Sequence, residues 1–370
     1  MNTNLLIIFS EVQKLSLLYL AYKYNFKSAG MLILYWLLWQ LVSSVILGKL
    51  SDIKGRKFVL YFTVFASVVV SFLAKYETSF KYALFIDGLL VATLPIAFAA
   101  KSDKNPLRSK RLIYAEAFLA RAITWLIVPT VFLISKFSDS FWENALLISS
   151  LLSVIVLFFF NDVQDDTHKL HVANKGKKSS SIYTAYVFVF LMSLFFSESS
   201  YQTISYLVEE KEEIISLTKS YILFGLGMSL TCGLHLLIKE IKGISLSVIC
   251  ASTFFITFLY FFVKFVSFSW EDQLYALNYT EKTVLGVVSG VYIPLIYAII
   301  CEKFKIHQQG TICGLLESTM TLAEIISPFL AYLFFISAFN LNLVFFIDSL
   351  GFFVSFAIIW TYLSQKRGSI

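Results

Sequence analysis

The feature that most limits what this 370-residue chain can fold into is a series of apolar runs, each as long as a membrane helix. A helix needs about 20 mostly apolar residues to cross a bilayer. The runs are residues 4–22, 29–48, 58–74, 82–100, 112–135, 142–160, 182–207, 214–238, 244–267, 283–302, 311–335 and 340–364. Charged residues make up only 15% of the chain, against about 25% in soluble proteins. The sequence therefore predicts an all-α polytopic membrane protein with twelve transmembrane helices.

A polar segment divides the predicted helices into two sets of six. It lies between the sixth and seventh runs and carries three aspartates and four lysines. Glu240-Ile241-Lys242-Gly243 follows the eighth run as Asp52-Ile53-Lys54-Gly55 follows the second, which indicates two related halves. We therefore expect two pseudo-symmetric bundles, at residues 1–160 and 182–370, joined by a cytoplasmic linker at 161–181.

Histidine and cysteine give no reason to expect a metal. His168 and His171 lie three residues apart in the linker, a spacing that a helix could offer to a metal, but a solvated polar segment accounts for both. The four cysteines lie inside apolar runs and form no C-x-x-C pair. The sequence also lacks a Walker-type phosphate-binding motif, so we expect that ATP does not drive the protein directly. We expect no cofactor.

Lysine and arginine are distributed unequally between alternate loops, and this predicts the orientation in the membrane. Cytoplasmic loops of membrane proteins carry an excess of these residues. Of the 30 lysines and arginines, 19 fall in one set of alternate loops and nine fall in the other set or in the run ends beside it, while Lys14 and Arg121 lie deeper inside the runs. We expect a multi-pass protein of the cytoplasmic (inner) membrane with both termini in the cytoplasm. This distribution accounts for the net charge of +6, so we expect no nucleic-acid partner.

The loop after the second run has the most specific pattern in the chain. It reads Gly48-Lys49-Leu50-Ser51-Asp52-Ile53-Lys54-Gly55-Arg56-Lys57. Glycine permits a tight turn between antiparallel helices, and an aspartate can bind the N-terminal amides of a helix. We expect Arg56 and Lys57 to hold the lipid headgroup layer.

This loop closely resembles the signature G-x-L-[AS]-D-[RK]-x-G-[RK]-[RK] of the major facilitator superfamily, which joins the second and third helices of those proteins on the cytoplasmic side. The eleventh run is similar too, because Gly310-Thr311-Ile312-Cys313-Gly314-Leu315 matches a G-T-x-x-G-L pattern common in that helix. The resemblance implies two six-helix bundles around a central cavity. It also implies that the loop controls the conformational change rather than substrate recognition, through Gly48, Asp52, Gly55, Arg56 and Lys57.

Two other patterns of the superfamily are missing. Leu84 stands four residues before Gly88, where some members have a functional arginine, so that arginine's role does not carry over. The fifth run lacks the glycines of the drug-antiporter signature around Pro129. The first-half layout has a likeness to siderophore and macrolide exporters, which favours export, and import by the same fold is the alternative.

Polar and ionisable residues inside the runs mark the candidate substrate site, because a charge at the bilayer centre costs about 2.5–3.5 kcal/mol on insertion scales. The resemblance implies that the first, fourth, seventh and tenth helices line the cavity. We expect substrate contacts from Glu11, Gln13, Lys14, Asp87, Glu198, Gln202 and Tyr292. Glu11 and Lys14 share a helix face and could neutralise each other, so a structural ion pair is their alternative role.

A second set of charges occupies corresponding places in the two halves. Glu116 and Arg121 lie in the fifth run, and Glu317 and Glu324 lie in the eleventh. We expect these four to act in proton coupling or in a gate between the halves, with Arg121 paired to an acid when one side is closed. Glu324 lies nearer the helix middle than Glu317, so we expect it to be the more buried acid and the better proton carrier.

Together these features predict a secondary active transporter that moves a small solute in exchange for protons or together with them. We expect it to act as a monomer among membrane lipids and not as an enzyme. A membrane enzyme would need catalytic acids in a large outer loop, and the longest one has only Glu271, Asp272 and Glu281. A transport-inactive receptor or scaffold is the other alternative, although nothing in it would maintain costly interior charges.

Overall fold

The structure is a computed structural model that describes residues 2–24, 29–105, 108–134, 140–159, 213–238, 246–267, 274–302, 304, 308–338, 346, 349–358 and 360. The described secondary structure is helical. The helices are α1 (Asn2–Tyr24), α2 (Ala29–Lys54), α3 (Arg56–Leu73), α4 (Glu77–Leu90), α5 (Thr93–Lys104), α6 (Lys110–Ile134), α7 (Phe141–Phe158), α8 (Glu213–Leu237), α9 (Leu246–Ser267), α10 (Leu274–Cys301), α11 (Gln309–Ala338) and α12 (Ser349–Ile358).

Most predicted runs correspond to helices within a few residues at each end. Within the described part of the chain, eight spans are long and apolar enough to cross a bilayer. The predicted seventh run, at 182–207, and the predicted linker lie outside the described residues. The division of the chain into bundles at 1–160 and 182–370, joined by a linker at 161–181, stays a prediction.

The predicted fourth run is not one continuous helix. It consists of α4 and α5, which are separated by Val91 and Ala92 in non-helical conformations. The reason is Pro95, because a proline inside a helix has no N–H to donate and its ring collides with the carbonyl four residues earlier, here that of Val91. The interruption is buried, with Val91 9% and Ala92 3% exposed.

A single residue, Gly55, joins α2 to α3. Its φ of 95° and ψ of 147° lie in a region that other residues rarely adopt. The turn therefore needs glycine at this position, and it lets α3 run back alongside α2.

Two long helix contacts hold the first half of the chain against the second. One joins α2 to α11, and the other joins α6 to α8. Glycines permit both, because a Cβ on Gly314 would stand 2.2 Å from the carbonyl oxygen of Ser44, and one on Gly225 would stand 2.7 Å from the backbone nitrogen of Leu126. Small residues at membrane helix contacts let backbones approach closely.

Candidate functional site

Five charged side chains from three helices form a network inside the protein. They are Glu11 and Lys14 on α1, Arg121 on α6, and Glu317 and Glu324 on α11. We call these five the interior charge network. All five belong to the residues that the sequence marked, and the structure brings them together from both halves of the chain.

The closest ion pair of the network joins α1 to α6. The Nε atom of Arg121 lies 2.9 Å from Oε1 of Glu11, whose side chain is only 1% exposed. The indole N–H of Trp125 donates a 2.7 Å hydrogen bond to the other carboxylate oxygen of Glu11. Both oxygens of this buried acid are therefore satisfied, as a charge in a low-dielectric interior requires.

The same guanidinium also faces the second half of the chain. Its Nη1 atom lies 3.9 Å from Oε1 of Glu317, which is 3% exposed. The hydroxyl of Tyr297, on α10, donates a 3.2 Å hydrogen bond to the other oxygen of Glu317. Arg121 thus bridges one acid from each half, and an aromatic donor supports each acid.

A second, looser ion pair joins the halves farther along the same helices. Lys14 Nζ lies 3.9 Å from Oε2 of Glu324, and the two side chains are 20% and 36% exposed. This pair is wetter than the Arg121 pairs, so it is worth less and rearranges more easily.

The network corrects two expectations. Glu11 and Lys14 do not neutralise each other, because Arg121 and Glu324 reach them from other helices. Glu324 is not the more buried acid of α11, since its side chain is 36% exposed against 3% for Glu317. The physical reason is that Glu317 lies opposite Arg121 in the contact between the halves, whereas Glu324 lies two helical turns farther on.

The predicted site residues on other helices have different surroundings. Asp87 is 7% exposed and accepts a 2.7 Å hydrogen bond from the indole N–H of Trp36. Tyr292 is 3% exposed and packs against Phe254, with ring centroids 5.4 Å apart. Gln13 is buried on α1, between Glu11 and Lys14 in the sequence.

Glu116 does not join Arg121. It lies more than a turn away on α6 and is bound by groups near the end of the molecule that carries the Gly48–Lys57 loop, which we call the loop end. Its carboxylate accepts hydrogen bonds from Asn4 at 3.0 Å and Arg108 at 2.7 Å, and Lys101 Nζ lies 3.3 Å away. The predicted correspondence between Glu116 and the acids of α11 is therefore not reflected in its contacts.

Glu198 and Gln202, expected to contact substrate, lie outside the described residues, as do His168 and His171. Within the described part of the chain, histidine, cysteine and acidic side chains form no cluster that could hold a metal ion.

At the loop end, Asp52 joins α2 to the first turn of α11. Its Oδ1 accepts a 3.0 Å hydrogen bond from the Gly310 N–H, and its Oδ2 accepts a 2.7 Å bond from the Thr311 N–H. The Thr311 hydroxyl donates to Oδ2 as well. A carboxylate at a helix N-terminus satisfies free amides and interacts favourably with the helix dipole. The predicted ability of Asp52 to bind helix amides is therefore seen, with α11 as the partner.

Arg56 does not reach the lipid headgroups. Its side chain is 1% exposed and lies between two acids, Asp52 on α2 and Asp103 on α5, with Nε 2.9 Å from the Asp103 carboxylate. Nη1 also donates a 2.6 Å hydrogen bond to Ser51. A guanidinium can hold two carboxylates at once, which explains why α5 draws it inward. Lys57 instead places its ammonium 6.0 Å from the centre of the Tyr61 ring.

Gly48 has a different role from the turn that the pattern indicated. It lies inside α2, and a Cβ there would be 2.4 Å from the carbonyl oxygen of Gly310. A Cβ on Gly310 would in turn be 2.1 Å from Nη1 of Arg56. These two glycines allow Asp52 to reach the start of α11.

The aromatic donors of the site were not predicted from the sequence. Trp125 stands four residues after Arg121, so the two share a helix face, and this spacing was the available signal. Trp36 and Tyr297 gave no comparable signal, because no charged residue stands three or four positions from either of them in the sequence.

No protein-family model matches the sequence, and no curated protein matches it. Solved structures do match. The human organic anion transporter MFSD10 (TETRAN) has a TM-score of 0.77 and 16% sequence identity, with 96% of this chain and 98% of that chain covered.

Two proton symporters match over similar lengths. The E. coli fucose:proton symporter FucP has a TM-score of 0.67 and 14% identity, covering 97% of each chain. The proton:xylose symporter XylE has a TM-score of 0.68 and 13% identity, covering 98% of this chain and 94% of that one. The chain is a multi-pass membrane protein with the fold of the major facilitator superfamily, which confirms the predicted fold class.

Proposed function

We propose that the protein is a secondary active transporter that moves a small polar solute across the cytoplasmic membrane by alternating access, in a cycle coupled to protons. The observation that carries the proposal is Arg121, held between Glu11 of the first half and Glu317 of the second. An interior cation with one partner in each half is the kind of link that forms and breaks when two bundles rock about a central site.

The similar structures support this activity. All three are transporters, and two are described as proton symporters. Their solutes differ, so they do not indicate a substrate for this chain. The proton coupling proposed here rests on the interior carboxyl groups together with these two proton symporters.

The proposed substrate site is the wetter side of the interior charge network. Lys14 and Glu324 offer a cation and an acid there, with both side chains partly exposed. A solute that carries a donor and an acceptor could replace their 3.9 Å contact with shorter bonds to itself. This chemistry favours a zwitterionic or strongly polar solute over a purely lipophilic one. Glu198 and Gln202, in the predicted seventh run at 182–207, are proposed to complete the site.

The loop-end contact is proposed to regulate the cycle. Asp52 and its three donors on α11 join the halves on one side of the network, and access from that side requires this contact to open. The proposed role of the Gly48–Lys57 loop is therefore to set the balance between conformations.

Flux measured with the purified full-length protein tests the proposal. A thermal-shift screen against a library of metabolites and siderophores would first select solutes that stabilise the protein. Each hit would then be added to proteoliposomes with a pH gradient of either sign. Its accumulation tests coupling to protons, and the direction of its movement tests whether the protein exports it, which is the direction we favour. Arg121→Met should abolish accumulation, and Lys49→Gln, at an exposed position, should not. Binding of a hit without flux in either direction would identify a receptor instead.

A further inference from the structure

The break between α4 and α5 places an acid in an unusual position. α4 ends at Leu90, in the middle of a segment long enough to cross a bilayer. Asp87 lies in the last turn of α4, where free carbonyl groups give the helix end a partial negative charge. One of these carbonyls, that of Gly88, accepts a 2.5 Å hydrogen bond from Ser43, while the Val91 N–H donates to that of Asp87 at 2.9 Å.

The partners of Asp87 differ from those of the other interior acids. Glu11 and Glu317 face Arg121, and Glu324 faces Lys14. Asp87 accepts a hydrogen bond from the neutral indole of Trp36, and within the described part of the chain no cation lies within 4.0 Å of its carboxylate. A carboxylate that is buried without a cation, at the negative end of a helix, is the one whose charge is least compensated.

The charged groups on the helices around Asp87 do not remove this difference between Asp87 and the other interior acids. Lys14, on α1, is the charged group facing Asp87 from that helix, and it is shared with Glu324 on α11. On α2 the facing group is Trp36. The other titratable residues of α3, α4 and α5 lie toward the helix ends that are farther from Asp87. They are Arg56, Lys57 and Tyr61 on α3, Glu77, Lys81 and Tyr82 on α4, and Lys101, Asp103 and Lys104 on α5.

We propose that Asp87 is the group that binds and releases the coupling proton. In one conformation its carboxylate takes a proton from the water on one side and becomes a neutral carboxyl group, and in the other conformation it returns that proton to the opposite side. The Trp36 N–H stabilises the charged form, so that protonation is reversible rather than permanent. This proposal rests on the proposed transport function, but its first test does not.

The first test detects the proton on Asp87 directly, without any solute. Infrared difference spectra of the purified protein between about pH 6 and about pH 9, above the range in which exposed carboxyl groups titrate, should show the carbonyl band of a protonated carboxyl group. The band should be lost in Asp87→Asn and kept in Glu143→Gln, the control in which an acid that has a cation partner outside the interior charge network is neutralised. Trp36→Phe should keep the band but displace its pH midpoint. A band that survives in Asp87→Asn would overturn the proposal, and thermal unfolding of the variant establishes that it is folded.

The second test connects the proton to transport. With a solute selected by the thermal-shift screen, Asp87→Asn proteoliposomes should lose accumulation driven by a pH gradient but keep exchange of labelled for unlabelled solute at equal pH. Loss of both activities, or accumulation driven by sodium in the wild type, would contradict the assignment. If the infrared result holds and no solute is transported by the wild type, the proposed function fails while the proton site stands.

Discussion

The Asp52 carboxylate accepts a 2.7 Å hydrogen bond from the backbone N–H of Thr311, although 259 residues separate the two in the chain. This bond, with those from Gly310 and the Thr311 hydroxyl, joins the start of α11 in the second half to the end of α2 in the first. An acid at this position satisfies amides that a helix start leaves without internal partners. Asp52 therefore stabilises the arrangement in which the loop end is closed.

Asp52→Asn should weaken this closed arrangement without damaging the solute site. An amide oxygen still accepts from one N–H, but the negative charge that pairs with Arg56 and the α11 dipole is lost. We expect slower transport, with equilibrium solute binding changed only a few-fold. Fluorophores placed at the loop ends of α2 and α11 should report a larger mean separation. Lys49→Gln is the control, and a complete loss of binding by folded Asp52→Asn protein would contradict this assignment.

Gly314→Ala should disturb the same closed arrangement by steric overlap. A Cβ at Gly314 would stand 2.2 Å from the Ser44 carbonyl oxygen, and backbone cannot move aside as a flexible side chain can. Gly233→Ala is the matched control, because a Cβ there meets no atom within 4 Å. It should be neutral or stabilise the protein by up to about 1 kcal/mol, since alanine favours a helix over glycine.

Thermal unfolding in detergent separates these two variants. Gly314→Ala should lower the melting temperature and increase labelling of cysteines placed at the loop end, while Gly233→Ala should do neither. Equal melting temperatures for both variants would show that α2 and α11 do not need this close approach.

Helix positions were predictable here because hydropathy is a local property that is repeated along each span. The Asp52 to Gly55 pattern also gave the turn, since only glycine readily adopts the φ of Gly55. The break before Pro95 was visible in the sequence as well, because proline cannot donate the hydrogen bond that a continuous helix needs. Residues 82–100 are nevertheless apolar without a charged break except Asp87, and hydropathy alone does not show an interruption within such a run.

Partners of the interior charges were not predictable in the same way. Glu11 and Lys14 are neighbours on one helix, so the sequence favoured a local pair, but both reach across to other helices. The position of Arg56 in a loop at the membrane surface predicted a contact with the headgroups, whereas in the structure Arg56 pairs with Asp103 in the interior. Such choices depend on which helices pack together, and a single sequence does not state this.

Arg121→Met should destabilise the protein more than the loss of a surface ion pair would. It leaves Glu11 and Glu317 buried without their cation, and breaking a buried pair costs about 3–5 kcal/mol. The control is Lys23→Met, which removes a 3.0 Å pair with Glu143 in which the lysine is 38% exposed. Such exposed pairs are worth about 0–1 kcal/mol.

Denaturant unfolding in micelles measures the loss in free energy of unfolding for Arg121→Met and for Lys23→Met. Adding Glu11→Gln to Arg121→Met should restore part of the lost stability, because it removes one of the uncompensated charges. If Arg121→Met costs no more than Lys23→Met, water or another cation reaches these acids and the network does not hold the halves together.

Trp125→Phe should reveal whether the indole positions Glu11 for solute binding. The substitution keeps an aromatic ring next to Tyr221, whose centroid is 5.0 Å away, but removes the N–H that donates to Glu11 at 2.7 Å. Without that donor the carboxylate keeps only Arg121 and is free to turn about that contact. We expect solute affinity to fall by about 1–3 kcal/mol, the cost of leaving a buried acceptor unsatisfied.

Trp39→Phe is the control for loss of an indole, because Trp39 lies on α2 and packs against Phe85 of α4, with ring centroids 4.9 Å apart. Calorimetric titration of the solute chosen by the thermal-shift screen compares the two variants with the wild type. A weaker affinity in Trp125→Phe alone would place Glu11 in direct or near contact with the solute, since the two variants lose the same chemical group. Equal affinities in all three proteins would mean that Glu11 serves only to hold Arg121, and would leave Lys14 and Glu324 as the solute contacts within the interior charge network.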